Sequence, residues 1–269
     1  MKILKLYILL TLWAFNQNTF AMDAKVSGIE TPNRVLFVGN SFSYFNNGLH
    51  NHVANLLRSA QAWDSRRQKL RLMTISGGQL IEHSGGLASM LSTKNNGGNW
   101  DAIILQGHSS EPIDKDSAPK FFAATKLFAK HIRDSGAKPV LLMTWAYEDK
   151  PEMTLDLERA YTKAGNALNA LVLPVGLAFA RMGDRHPNVN LYSPDIARFE
   201  GARVVHRKSI KHPSVAGTYL AACVVYAGLY QRSPVGLPYN PGLEPEVARS
   251  IQEVAWQTAQ QYYQKSKKG

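Results

Sequence analysis

A serine lies on a tight turn directly after an apolar run near the start of the chain. Residues 34–38 are apolar and β-branched, and the segment that follows them reads Gly39-Asn40-Ser41. A serine between a strand and a helix is exposed, and the N-terminus of the helix behind it favours negative charge. Ser41 is therefore either a nucleophile or a helix-capping residue, because serine is also a common N-cap.

Two more polar segments follow apolar runs. Gly77 and Gly78 come after residues 70–75, and glycines in a turn let a backbone N–H approach a ligand closely. Gln106 follows residues 102–105, and a side-chain amide at that place can donate a hydrogen bond to an oxyanion. Each of these signals is weak when taken alone.

A histidine near the end of the chain could activate the serine. His212 precedes Pro213, which suits the first position of a helix, so His212 belongs to a loop. A loop histidine can act as the base for a serine on another loop, although an isolated histidine is more often an ordinary polar residue. No His, Cys or Asp cluster has the spacing of metal ligands, so we expect neither a metal nor a cofactor.

The elements that must position these residues alternate along the chain. The alternation of short apolar runs with longer amphipathic stretches predicts parallel strands joined by helices. We expect a single three-layer α/β/α domain with a parallel sheet of about five strands, whose carboxyl ends carry the site. The predicted strands are residues 34–38, 70–75, 102–105, 139–144 and 170–173, and the predicted helices are residues 47–60, 118–134, 155–168, 213–230 and 244–265.

The first 21 residues have the features of a secretory signal peptide. Lys2 and Lys5 precede an apolar run, and small residues end at Ala21. A membrane anchor needs about 20 apolar residues, and the polar residues 16–18 interrupt the run too early. We therefore expect a periplasmic or secreted protein without a stable membrane anchor, in which residues 22–269 form one domain.

The charge of the chain bears on its partners. Lys and Arg number 31 against 20 Asp and Glu, which gives a net charge of +11, and the single cysteine excludes an intramolecular disulfide. Export and the absence of a block of five basic residues argue against nucleic acid. An anionic substrate and a solvated basic face that aids solubility remain as alternatives.

Taken in order, these segments resemble the SGNH (GDSL-type) hydrolases. The resemblance covers roughly residues 34–230 and is closest to a subgroup with a Gly-Asn-Ser-Phe first block and a His-Pro-Ser last block, here residues 39–42 and 212–214. It implies a flavodoxin-like three-layer fold and a serine esterase site. Ser41 would be the nucleophile and His212 its base.

The resemblance also implies an oxyanion hole. Its donors would be the backbone N–H of Ser41, the backbone N–H of Gly77 and the side chain of Gln106. Gly78 is the alternative to Gly77, because the glycine pair leaves the register open. Trp145 and Tyr147 follow the fourth strand and would either stack on a sugar or form walls of the pocket.

The sequence departs from the family pattern at the acid. The family usually carries Asp three residues before the histidine, where this chain has Ser209. Asp195 is followed by residues 196–211 before His212, and we interpret those residues as an insertion. Asp195 then either folds back onto His212, or a backbone carbonyl replaces it in a Ser-His dyad, or the site is impaired.

These residues lead to one expected function and one alternative. We expect an exported esterase that hydrolyses O-acyl esters, most plausibly O-acetyl groups on a carbohydrate, through a Ser-His(-Asp) acyl-enzyme. The substrate would be a small molecule or a polysaccharide, and the basic insertion at 196–211 would form a flap that attracts an anionic one. The alternative is a catalytically impaired carbohydrate-binding protein with the same fold.

Overall fold

A parallel five-stranded sheet lies at the centre of the protein. The computed structural model describes residues 32–92, 99–207 and 210–264. The strands are β1 (Arg34–Gly39), β2 (Lys69–Thr74), β3 (Ala102–Leu105), β4 (Lys138–Leu142) and β5 (Leu171–Leu173). Neighbouring strands are all parallel, in the order β2-β1-β3-β4-β5. This confirms the predicted sheet, and its strand order is the flavodoxin-like one.

Helices cover both faces of this sheet. They are α1 (Ser41–Tyr44), α2 (Leu49–Ser59), α3 (Ser84–Ser92), α4 (Ala118–Asp134), α5 (Met153–Leu168), α6 (Val175–Arg185), α7 (Val215–Tyr230) and α8 (Pro245–Gln264), with a 3-10 turn at Leu80–His83. Helices α2, α6, α7 and most of α8 share one apolar core with the sheet. Helices α3, α4 and α5 share the other. The predicted three-layer α/β/α architecture is therefore confirmed.

Four of the five strands are apolar on both sides because both of their faces are covered, whereas the edge strand β2 is only partly buried. In β1, Val35 and Phe37 belong to the first core, whereas Leu36 and Val38 belong to the second. All four residues of β3 are buried. A near-continuous apolar run is what a parallel strand between two helix layers requires, and this explains why periodicity located these strands.

Helix α6 was not among the predicted elements. It begins directly after β5 and contains Gly176 and Gly183, and glycine lowers helix propensity. Gly176 is needed for packing, since a Cβ there would lie 2.2 Å from the carbonyl oxygen of Thr144. The glycine that allows α6 to approach the end of β4 therefore lowers the helix propensity of this segment, which explains why α6 was not predicted.

Four short strands lie outside the main sheet. They are β6 (Tyr192–Ser193), β7 (Ile196–Glu200), β8 (Arg203–His206) and β9 (His212–Pro213). β6 pairs antiparallel with β9, and β7 pairs antiparallel with β8. The expected insertion is therefore mostly a β-hairpin, which leaves the body of the domain after β6 and returns to it at β9.

The leader segment is outside these observations. Residues 1–21 are not among the described residues, and the signal peptide stays a prediction. Within the ranges that the structure describes, each helix is too short or too polar to cross a membrane.

Two histidines, His52 and His83, are buried in this fold, and His50 is half-buried. Burial lowers the pKa of His50, His52 and His83 below the ordinary value. Neither ring nitrogen of His83 has a hydrogen-bond partner among the described residues. An unfolded chain takes up protons at about pH 6.5 that the folded chain takes up only at lower pH. The contribution of these histidines to the folding stability is therefore fully present above that pH and is lost as the pH falls below it.

We predict that His83→Leu weakens this acid dependence. The wild-type free energy of unfolding should fall on acidification from pH 7 to pH 5, with a slope of at most about 1.4 kcal/mol per pH unit from each such histidine. His83→Leu removes one of these groups and should flatten the slope, as measured by urea unfolding at several pH values. The exposed His131→Gln serves as control and should leave the slope unchanged. An unchanged slope in His83→Leu would contradict the assignment.

Candidate active site

The turn after β1 places Ser41 at the start of α1. Asn40 is the N-cap of α1, and its side-chain Oδ1 accepts a hydrogen bond from the Phe42 N–H at 3.1 Å. The Ser43 N–H donates to the Asn40 carbonyl at 2.9 Å. Asn40 therefore does the capping, which leaves the Ser41 hydroxyl and the Ser41 N–H for other partners. In the described part of the chain, no acceptor of the Ser41 N–H is found.

Gln106 buttresses this turn from the end of β3. Its Oε1 accepts hydrogen bonds from the Asn40 N–H at 3.1 Å and from the Ser43 hydroxyl at 2.8 Å. Its Nε2 donates to Asn40 Oδ1 at 2.9 Å and to the carbonyl of Gly107. The turn packs so closely on Gln106 that a Cβ at Gly39 would lie 2.3 Å from Oε1.

This arrangement differs from the role expected for Gln106. The Asn40 N–H can only donate, so it fixes which end of the Gln106 amide is the oxygen. Both N–H groups of that amide are then engaged inside the protein, and the residue is 1% exposed. In this arrangement Gln106 has no N–H to offer an oxyanion. It positions the serine turn instead.

The structure brings Ser41, His212 and Asp195 together in one row. His212 Nε2 lies 2.7 Å from Ser41 Oγ, and the His212 Nδ1–H donates to Asp195 Oδ1. Because a carboxylate only accepts, Nδ1 carries the proton of the neutral ring and Nε2 accepts from the Ser41 hydroxyl. The side chains of His212 and Asp195 are 15% and 14% exposed, so the row is largely buried but still in contact with solvent.

Short strand pairing explains how Asp195 reaches His212. Ser193 of β6 stands opposite His212 of β9, and the Arg207 N–H donates to the Asp195 carbonyl at 2.8 Å. The hairpin of β7 and β8 takes up most of the residues in between. Of the three arrangements left open by the sequence, the geometry is the one in which Asp195 folds back onto His212. Ser209 lies outside the described residues.

Aromatic rings fix the plane of the His212 imidazole. The Phe45 ring stacks on it with centroids 4.3 Å apart, and the Phe42 ring meets it edge-on at 5.9 Å. Trp145 stacks on Phe42, and its indole N–H donates to the carbonyl of Lys211 at 2.9 Å. Trp145 is fully buried, which excludes it as a sugar-stacking residue and makes it part of the support for His212.

The glycine pair after β2 forms a tight turn beside the serine. The Gly78 N–H donates to the Ile75 carbonyl at 3.1 Å, and Gly77 has a φ of +66°. The Gly78 carbonyl accepts from the Asn40 side chain at 3.1 Å, which ties this turn to the serine turn. Gly78 thus uses both backbone groups within the protein. Gly77 faces open space, with no atom within 4 Å of where its Cβ would be.

Glu111 joins the loops that follow β2 and β3. Its Oε2 accepts the His108 N–H at 2.7 Å and the Leu80 N–H at 3.1 Å, and the residue is 1% exposed. Burial raises the pKa of the Glu111 carboxyl, and the two backbone hydrogen bonds oppose that shift. The sequence interpretation missed Glu111, because no local pattern distinguishes a buried loop carboxylate from a solvated one.

Half-buried polar side chains line the mouth of the site. Burial is the main cause that lowers the pKa of His108, and the nearby basic groups of Lys211 and His212 lower it further. The Tyr147 hydroxyl lies 2.8 Å from the hydroxyl of Ser109, and Lys211 Nζ lies 5.5 Å from the Tyr147 ring centroid. Lys211 directly precedes His212, so its contact with Tyr147 places that ring in the neighbourhood of the imidazole of the site.

The hairpin carries less free charge than its sequence suggests. Glu200 forms ion pairs with both Arg198, at 2.6 Å, and Arg203, at 3.0 Å. Two of the cations expected to form a basic flap are thus already paired. In the ranges described, no group of three or more His, Cys, Asp or Glu side chains is arranged to hold a metal ion.

We predict that Gln106→Glu strongly destabilises the fold. The new carboxylate oxygen would face two acceptors, Asn40 Oδ1 and the Gly107 carbonyl, in a buried site. The expected loss is about 3 kcal/mol of unfolding free energy, measured by chemical denaturation. Gln260→Glu on the exposed side of α8 is the matched control and should change stability by less than about 0.5 kcal/mol. Equal stability of the two variants would show that the Gln106 amide is not engaged as described.

Comparisons with known proteins place this architecture. No family model and no curated protein matches the chain. Among solved structures, a DUF4886 family protein from Bacteroides uniformis aligns with a TM-score of 0.57 at 18% identity, over 85% of this chain and 95% of that one. A candidate SGNH hydrolase from Slackia heliotrinireducens aligns with a TM-score of 0.51 at 23% identity, over 72% and 97%. The acetyl xylan esterase AlAXEase aligns with a TM-score of 0.51 at 13% identity, over 72% and 98%. The chain therefore has the three-layer fold of the SGNH hydrolases.

Proposed function

We propose that this protein is an exported serine esterase of the SGNH type that hydrolyses O-acyl esters. The observation that carries the proposal is the row of Ser41, His212 and Asp195. Its hydrogen bonds put the imidazole in the tautomer that can accept the serine proton. The likeness to SGNH structures supports the same class of reaction by fold alone.

Acylation begins at Ser41. As its Oγ attacks the ester carbonyl, His212 Nε2 takes the hydroxyl proton, and Asp195 stabilises the imidazolium that forms. The stacked Phe45 ring adds a favourable contact to that cation and prevents the imidazole from turning. His212 then donates the proton to the leaving alcohol. Water enters, is deprotonated by His212 and hydrolyses the acyl-serine.

Two backbone N–H groups are the proposed oxyanion hole. The Ser41 N–H lies at the start of α1, where a helix N-terminus favours negative charge. Gly77 supplies the second N–H, since the Gly78 N–H already donates to Ile75. Each such donor is typically worth about 2.7–4 kcal/mol of transition-state stabilisation. Asn40 and Glu111 keep the loops that bear them in place.

The substrate class follows from the fold and from the mouth of the site. AlAXEase, an acetyl xylan esterase, has the same fold, and this supports an O-acetyl group on a carbohydrate. Tyr147 is half-buried, its hydroxyl lies 2.8 Å from the Ser109 hydroxyl in the loop after β3, and we propose that its ring contacts the sugar. The cationic Lys150 and Lys211 near Tyr147 support an anionic carbohydrate.

We predict that a fluorophosphonate probe labels Ser41. The purified protein should react covalently and hydrolyse aryl acetates and acetylated xylo-oligosaccharides, and Ser41→Ala should abolish both activities. Asp195→Asn should lower kcat by about 10⁴-fold, because the imidazole loses the partner that fixes its tautomer. Ser135→Ala at the end of α4 is the control and should behave as wild type.

Failure of labelling would favour the alternative function. A chain that binds acetylated glycans in calorimetry yet shows neither labelling nor turnover would be a carbohydrate-binding protein with an impaired site. If the probe labels Ser41 but no acetyl ester is hydrolysed, Ser41 is an activated nucleophile and the proposed substrate class is wrong.

We predict that Lys211→Gln weakens the binding of anionic substrates. Its backbone carbonyl still accepts the Trp145 N–H, so the change is confined to the side chain at the mouth. The KM for an acetylated polyuronide should rise about fivefold at low ionic strength, as expected for roughly 1 kcal/mol of exposed charge interaction, and the effect should fade as salt is added. Lys130→Gln, remote on α4, is the matched control. A salt-independent rise in KM would contradict an electrostatic role for Lys211.

A further inference from the structure

The register of the β7–β8 hairpin sorts its side chains onto two different faces. Ile196 pairs with His206 and Phe199 with Val204, whereas Arg198 pairs with Val205. Directly paired residues share a face, and successive residues along β8 alternate between faces.

One extra residue in β7 produces this sorting. The pairing shifts between Ile196 and Arg198, so Ala197 is a β-bulge without a partner. In a regular strand, Ile196 and Phe199 would point to opposite sides, because they are three residues apart. The bulge puts them on the same side, together with Val204. The hairpin thus has one face that is apolar apart from His206, and one face that carries Val205 and the Arg198–Glu200–Arg203 ion pairs.

The apolar face of the hairpin is open to solvent. Ile196 is 51% exposed, Phe199 67% and Val204 39%. They are three of the seven exposed large hydrophobic side chains in the part of the chain that the structure describes. β7 and β8 pair only with each other among the described strands, so the hairpin projects as a ridge and does not form a groove. Exposed apolar clusters of this kind mark interaction sites.

The charges around the apolar face indicate what it meets. Arg198, Arg203 and Arg207 against Glu200 give residues 196–207 a net charge of +2, on a chain of net charge +11. A hairpin that combines an apolar face with a net positive charge complements a layer of anionic headgroups over acyl chains. A second copy would bring these arginines against their equals. An acidic glycan would use the net positive charge but would leave the three apolar side chains exposed.

We propose that the β7–β8 hairpin docks the protein on an anionic lipid bilayer, with Ile196, Phe199 and Val204 inserted at the headgroup boundary. Docking is peripheral and reversible, since only three apolar side chains enter the interface. Asp195 directly precedes β7, and the Arg207 N–H after β8 donates to its carbonyl. The hairpin therefore begins and ends beside the acid of the site, and docking brings the site close to acyl esters carried at that surface, a consequence that rests on the proposed esterase function.

Vesicle binding by the full chain tests the docking. Co-sedimentation is measured with phosphatidylcholine vesicles and with vesicles that contain 30% phosphatidylglycerol, about as much anionic lipid as many membranes carry. The wild type should bind the anionic vesicles more tightly, and added salt should weaken that binding. Ile196→Ser/Phe199→Ser/Val204→Ser should bind at least about tenfold more weakly. The matched control is Leu127→Ser/Leu155→Ser, which removes two exposed leucines from α4 and α5 and leaves the hairpin intact. It should bind the vesicles as the wild type does.

A second readout does not depend on loss of binding. Phe199→Trp places an indole at the most exposed apolar position of the hairpin, and its emission should shift to the blue with anionic vesicles. Brominated acyl chains should quench it. Circular dichroism and thermal melting of each variant show whether it is folded.

Several results would overturn the proposal. One is a wild type that does not bind anionic vesicles, and another is a triple-serine variant that is folded and binds as well as wild type. Self-association that the triple substitution abolishes would make the face an interface between copies. Capture by an acidic polysaccharide, with no vesicle binding, would make it a glycan surface. Aryl acetate turnover, measured alongside, separates the two proposals: an inert chain that still binds vesicles loses the esterase function and keeps the docking.

Discussion

The pairing of β6 with β9 determines where the histidine of the site lies. Only two residue pairs form between them, yet they return the chain to one strand spacing from the point where it left the domain. Ser193 is thereby opposite His212, and Asp195, two residues further on, can reach the imidazole. The indole of Trp145 holds the carbonyl that precedes His212. Ser41 is held by its own turn, independently of this closure. Completion of the site therefore depends on the β6–β9 pairing, which brings His212 and Asp195 to the serine.

The parts of the fold that were predictable are those with strong local signals. Four strands of the main sheet are buried on both faces over most of their length, so each is a short apolar run, whereas the edge strand β2 is only partly buried and contains Lys69 and Arg71. The serine turn and His212 lie at strand and helix ends that such runs locate. The contact of Asp195 with His212 depends instead on two-residue strands, and no pattern in so short a segment specifies its partner.

Gln106 and Glu111 show why residue type alone does not assign a role. An amide at the end of a strand suggests a donor to a ligand, but the donors and acceptors around Gln106 are all protein groups. A loop glutamate suggests a solvated charge, but Glu111 accepts backbone N–H groups from two different loops. In both cases the deciding neighbours come from distant parts of the chain.

The same consideration applies to the hairpin. Its apolar residues are scattered in sequence, and they form one face only because Ala197 has no partner across the strands. The amino-acid composition of the segment shows its arginines, but it does not show that Glu200 forms ion pairs with two of them. Electrostatic and apolar surfaces on such a small element are set by strand register, which in a hairpin depends on its turn and its bulge and not on composition.

The hairpin leaves and re-enters the domain at neighbouring residues, and this gives the site a particular freedom to evolve. A segment whose ends are held together by β6 and β9 can be lengthened, shortened or exchanged without altering the distance between its ends. Relatives could carry unrelated sequences between Asp195 and His212 and retain the same reacting geometry. The reacting residues would then change slowly under strict selection. The segment between them, which sets the surface that the protein meets, would be free to change faster.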